Sequence, residues 1–147
     1  MLAEIGYAKS VIDRQFKGLI SAQQLFEMST SVPARIARID DKVGSLKPGL
    51  FADLFLLRGD ASKPFDALAA AKPQDVTLTM IDGVPVFGAA DHMSALGVTA
   101  QENVNLCGQD RAINPTSIAD GFADITARLT GALKAENLTL AGLAECN

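Results

Sequence analysis

The sequence predicts a mixed α and β fold. Three observations carry that prediction. Apolar residues recur at helical spacing near both ends of the chain, in residues 2–16 and 118–133. A short apolar run, 51–57, is bounded by turn residues, and 76–81 alternates, as strands do. Asp82-Gly83 then separates the second segment from Val84–Phe87, which is the two-residue spacing of a hairpin. With 147 residues the chain suits one domain with a sizeable core.

The elements follow in chain order. Leu2, Ile5, Ala8, Ile12 and Phe16 mark one face of a first helix, with Gly18 at its end. Ser21-Ala22-Gln23-Gln24 has capping-box form, a hydroxyl at the N-cap and Gln three residues later, so a second helix starts there. Leu25, Met28 and Val32 continue its stripe. Pro33 pushes Ser31 or Val32 towards extended backbone and suits the first position of a third helix, with Ile36 and Ile39 carrying it to Asp40-Asp41.

Character then turns to β. Lys47-Pro48-Gly49-Leu50 has the Pro and Gly positions of a type II turn. Phe51–Leu57 reads as a buried strand, 58–63 as a polar loop and 64–71 as a short helix ended by Lys72-Pro73. Val76–Ile81 alternates, with Val76, Leu78 and Met80 on one face. Pro85 cannot donate to a ladder, which places the returning strand at a sheet edge. The pattern is weak from Gly88 to Pro115, apart from one short strand at 104–107. Thr116 or Ser117 caps a long helix over 116–136, whose stripe is Ile118, Phe122, Ile125, Leu129 and Leu133. Asp120, Asp124 and Lys134 suit its macrodipole. Leu138–Leu143 is apolar enough to pack back as a tail.

Composition excludes several functions. Lys plus Arg number 13 and Asp plus Glu 17, a net charge of −4, which argues against nucleic acid as a partner. No apolar stretch approaches the roughly 20 residues of a membrane span. The start of the chain lacks the basic and apolar regions of a secretory leader, which points to the cytoplasm. His92 is the one histidine, so a site needing several His ligands cannot be built here. Cys107 and Cys146 read best as two free thiols; the alternative is a disulfide tying the tail back.

Catalytic candidates are few. Asp91-His92 could orient an imidazole, but adjacent side chains rarely converge, and a surface-loop histidine is the better reading. Asp40, Asp41 and Asp60 lie in turns, where Asp forms local hydrogen bonds. Asn137-Leu138-Thr139 has glycosylation form without a secretory context. No catalytic, cofactor-binding or metal-ligating residue is assigned.

Four strings, in order, carry a resemblance. They are Ile20-Ser21-Ala22-Gln23-Gln24-Leu25-Phe26-Glu27-Met28-Ser29-Thr30, Val32-Pro33-Ala34-Arg35, Gly44-Ser45-Leu46-Lys47-Pro48-Gly49-Leu50-Phe51-Ala52-Asp53-Leu54, and Met80-Ile81-Asp82-Gly83-Val84-Pro85-Val86. Their order and spacing resemble the C-terminal part of the metal-dependent amidohydrolase superfamily. Leu50-Phe51 departs from it, since the family commonly has Lys after that Gly.

The resemblance implies the terminal helices of a (β/α)8 barrel over 1–42, the C-terminal share of a composite β-sandwich over 43–88, and an extension over 89–147. It also implies a hydrolase of carbon–nitrogen bonds other than peptide bonds, using water activated by a divalent metal, zinc foremost. The family's ligands would all precede Met1, so no cofactor is expected on this chain, and Asp53 is read as structural. The length then corresponds to the last part of a larger enzyme. The implied partner is the upstream portion of the same protein, or a second copy through exposed strands. The alternative is a free-standing, non-catalytic interaction module.

Overall fold

The computed structural model describes residues 2–117, 120–142 and 146. The first helix, α1 (Leu2–Gln15), buries Ile5 and Ile12, and Gly18 takes φ 72° just beyond its end. In α2 (Ala22–Glu27) the capping box closes both ways. The Ser21 hydroxyl accepts from the Gln24 amide at 3.2 Å, and the Gln24 side-chain oxygen accepts from the Ser21 amide at 2.9 Å. Ser29 and Thr30 hydroxyls donate to the carbonyls of Leu25 and Phe26. The Phe26 carbonyl also accepts from the Ser29 amide at 2.9 Å, and together these bonds close the last turn of the element.

The third helix, α3 (Ser31–Ala37), corrects the Pro33 expectation. Pro33 is its third residue, so Ser31 and Val32 are helical. The first turn of a helix has no partner for its amides, so the missing N–H costs nothing there. Ile36 is 78 % exposed, and the helix stops at Arg38 in the left-handed region, short of Asp40-Asp41.

The sheet has five antiparallel strands in the order β1-β2-β3-β5-β4. They are β1 (Leu54–Leu57), β2 (Val76–Ile81), β3 (Val84–Gly88), β4 (Glu102–Leu106) and β5 (Gln109–Ile113). Helix α4 (Pro64–Ala70) joins β1 to β2 with Pro64 in its first position, and α5 (Ala90–Ala95) follows β3. The turn before β1 forms as expected, with Leu50 donating to the Lys47 carbonyl and Gly49 at φ 89°.

Several expectations need correction. The strand starts at Leu54 rather than Phe51 and lies at an edge with Leu56 exposed, so it is not buried on both faces. Pro85 lies in an interior strand. It is tolerated because the register with β2 shifts between Thr79 and Met80, and pairing with β5 begins only at Phe87. The weakly patterned segment holds α5 and a second hairpin, β4–β5. Its turn, Cys107-Gly108, has both residues at positive φ, as does Asp82-Gly83 in the first hairpin. Two-residue hairpin loops of type I′ require this.

The long helix also begins later than expected. α6 covers Phe122–Ala135, preceded by Gly121 at φ 72° and a 3-10 turn at Pro115–Ser117. Its start is set from outside, because the Glu102 carboxylate of β4 accepts from the Ala123 amide at 2.8 Å. Ile118 and Leu143 lie outside the described residues. Leu138 and Leu140 are exposed, so the described part of the tail does not pack. Cys107 and Cys146 form a disulfide, which overturns the reading as two free thiols.

Two clusters make the core. Ile5, Ile12 and Leu25 pack with Ala8, Ile20 and Ala69 in the helical layer. Leu78, Met93, Val98 and Ala112 pack where α5 sits on the sheet, with Met80 beside them. The approach of strands is close there: a Cβ on Gly88 would lie 2.8 Å from the Thr77 carbonyl oxygen. We predict that Leu78→Ala lowers unfolding free energy by about 3 kcal/mol in urea titration, whereas Ile36→Ala, which removes no buried contact, changes it by less than about 0.5 kcal/mol.

Candidate functional site

An apolar groove of about 1020 Å³ runs between the helical layer and the β1 edge of the sheet. Helices α2 and α4 supply Phe26 and Phe65, whose tilted rings are 5.6 Å apart. Helix α3 supplies Pro33 and Ala34, the segment after it Leu46 and Phe51, and the sheet Leu54, Phe55 and Met80. Polar groups are sparse on its wall, with Glu27 and Asp53 the carboxylates. Groove residues Leu46 and Phe51 are 71 % and 47 % exposed.

The strings singled out in the sequence meet each other along this groove. Gly44 of the third string has φ 89°, and a Cβ there would lie 2.6 Å from that of Ala34 in the second. Only glycine permits both the backbone conformation and the approach. Asp53, also of the third string, accepts from the Asp82 amide of the fourth at 2.7 Å, and Gly83 donates to the Ala52 carbonyl at 3.2 Å. Asp53 therefore holds the hairpin turn against the entry to β1.

The remaining candidates are scattered. His92 lies half-buried on α5 rather than in a loop, with Nδ1 3.3 Å from the Thr77 carbonyl oxygen. Asp91 accepts from the His92 amide and so serves its own helix start. Asp40 and Asp41 are exposed, with Asp41 3.5 Å from Lys42. Asp60 accepts from both the amide and hydroxyl of Ser62, which hold its carboxyl below the usual carboxylate range. Asn137 is exposed at φ 57° just after α6. Among the described residues no group of three or more His, Cys, Asp or Glu is placed to hold a metal ion. No helix among them is long and apolar enough to cross a membrane.

Two buried polar residues escaped the sequence reading. Arg111 is 5 % exposed and donates to the carbonyls of Gln74, Val76 and Asp110, joining β5 to the start of β2. Asn114 donates to the Pro85 carbonyl and accepts from the amide and hydroxyl of Thr116. The turn at Asn114 is local, but the acceptors that bury these side chains, Gln74 and Val76 for Arg111 and Pro85 for Asn114, come from distant segments.

The model of the family described as "Amidohydrolase family" matches residues 4–86, from α1 into β3. No curated protein matches the chain.

Two outcomes test the roles of these carboxylates. Asp53→Ala should cost about 1 kcal/mol in chemical denaturation, by leaving the turn amide without its acceptor, while Asp53→Asn should retain most of that. Asp60 has a depressed folded-state pKa, so its contribution to stability is present above about pH 4 and lost as pH falls through the folded value. Ser62→Ala should raise the Asp60 titration midpoint towards the ordinary carboxylate value, read by NMR.

Proposed function

Because the chain belongs to the amidohydrolase family, and so to a group of hydrolases, we propose that it is the C-terminal segment of an enzyme that hydrolyses carbon–nitrogen bonds other than peptide bonds. In this reading residues 1–42 are the terminal helices of a (β/α)8 barrel. Residues 43–88 are the C-terminal share of a composite β-sandwich, and 89–147 form an extension that the β3–β5 pairing joins to it.

The family is generally metal-dependent, so the donor set is the first question. The described residues of this chain do not fit a catalytic divalent metal. The imidazole of His92 rests on the backbone of β2, both cysteines are in the disulfide, and the carboxylates lie apart or serve turns. No catalytic step is assigned to them. The proposed metal site, and with it substrate binding, belongs to sequence upstream, where barrel strands end and such active sites lie. What this chain supplies is a packing surface.

The open groove is the observation that carries this reading. The chain exposes 9847 Å², whereas a compact monomer of 15.4 kDa exposes about 7200 Å². The groove, with the exposed side chains around it, accounts for part of the excess, and the matching strings line it. An apolar surface of that extent, bordered by an unpaired strand edge, suits coverage by another part of the same protein. The net charge of −4 disfavours nucleic acid as that partner.

The same surface supports a second reading, a non-catalytic module that associates with another copy through β1 and the groove. Two measurements separate the readings. Under the first, the purified 147-residue chain with added zinc shows no stoichiometric tight metal by elemental analysis and no hydrolysis of amides or amidines, and the coding DNA upstream of Met1 continues in frame into an H-x-H motif. Stoichiometric tight zinc on the isolated chain overturns it. Under the second, no such extension exists and light scattering gives a defined dimer.

A further inference from the structure

The C-terminal extension is held by a few contacts that can be named. α6 buries none of its residues completely, although Phe122, Ile125 and Leu133 are half-buried and Leu129 is 48 % exposed. Its N-terminus rests on the Glu102 carboxylate, which accepts the Ala123 amide at 2.8 Å. Arg128 pairs with Asp120 at 2.8 Å, but both belong to the extension and both are exposed. Neither contact anchors the far end of the helix. Beyond the helix, the chain is tied back covalently. Cys107 sits in the β4–β5 turn, and Cys146 lies 39 residues later, so their disulfide encloses α6 and its flanking segments in one loop.

The position of this bond suits opening and closing. Cys146 is exposed and Cys107 half-buried, so a reductant can reach the pair. Cys107 belongs to a turn that has its own support. Asn105 accepts from the Gly108 amide and donates to Asp110, each at 2.9 Å, and β4 and β5 pair on either side. The hairpin therefore keeps its shape without the disulfide. The chain contains only these two cysteines, so reduction and reoxidation return the same pair.

We propose that the Cys107–Cys146 disulfide is a reducible clasp that holds α6 to the β4–β5 hairpin, and that its reduction releases the extension while the sheet stays folded. The reductant is a dithiol. Its thiolate attacks one sulfur of the pair, the sulfur–sulfur bond breaks, and two electrons pass to the cysteines. Each cysteine sulfur takes up a proton as the reductant closes to its own disulfide. Release exposes the half-buried Phe122, Ile125 and Leu133 beside the already exposed Leu129, which makes the exposed apolar surface of the extension redox-dependent.

Hydrogen exchange on the whole chain tests this. After equilibration with oxidised glutathione, alkylation under denaturing conditions should find no free thiol. Addition of dithiothreitol should expose two, and should raise exchange in residues 122–135 by at least tenfold, with β1–β3 changed by less than twofold. Cys146→Ser should reproduce the reduced pattern without reductant, and its exposed position keeps that variant foldable. The proposal is overturned if two free thiols persist after oxidation. It is equally overturned if exchange in α6 does not change on reduction, or if protection is lost across β1–β3, which would make the bond a staple of the whole fold.

Discussion

The β2–β3 hairpin is the constraint on which the rest of the sheet depends. Its turn, Asp82-Gly83, holds both residues at positive φ, and the amide of Asp82 is tied to Asp53. That geometry fixes how β2 returns as β3. β1 then pairs on the outer side of β2, and β5 on the outer side of β3, bringing the second hairpin into the same sheet. The face of β2 that carries Leu78 receives Met93 from α5, and Gly88 lets the strands approach there without obstruction. A slip of one residue in this hairpin would turn Leu78 away from α5 and dissolve that cluster.

The family strings make physical sense as contacts rather than as catalysts. Gly44 lies against Ala34, and Asp53 holds the turn before β3. These pairs fold the segment after α3 back over the sheet edge and so build the wall of the groove. The contacts these strings make are structural ones, by which this part of the fold closes on itself.

The segment beyond residue 86 follows different rules. Its hairpin carries polar side chains at alternate positions, with Asn103, Asn105 and Asp110 exposed, while Leu106, Arg111, Ala112 and Ile113 are buried. Arg111 is a buried cation met by three backbone carbonyls. It joins β5 to Gln74 and Val76, and so binds the segment beyond residue 86 to the family-matching part by hydrogen bonds as well as by the ladder.

Local rules sufficed wherever the partner of a group lay within a few residues. The capping box at Ser21, Pro64 opening α4, the alternation of β2 and the Asp82-Gly83 turn all depend on neighbours along the chain, and all were legible in the sequence. The resemblance added the family from the spacing of short strings. Tertiary structure alone decided the rest. Pro85 sits inside the sheet because a register shift and a late start of pairing spare it a ladder bond. α6 begins at Phe122 because a carboxylate twenty-one residues earlier caps it. The segment from 88 to 115 folds into α5 and a hairpin whose apolar positions are too few to show a period. They become a core only when Leu78 and Met93 come together. The two cysteines are paired because the β4–β5 turn and the chain end meet in space, a contact that no spacing in the sequence records.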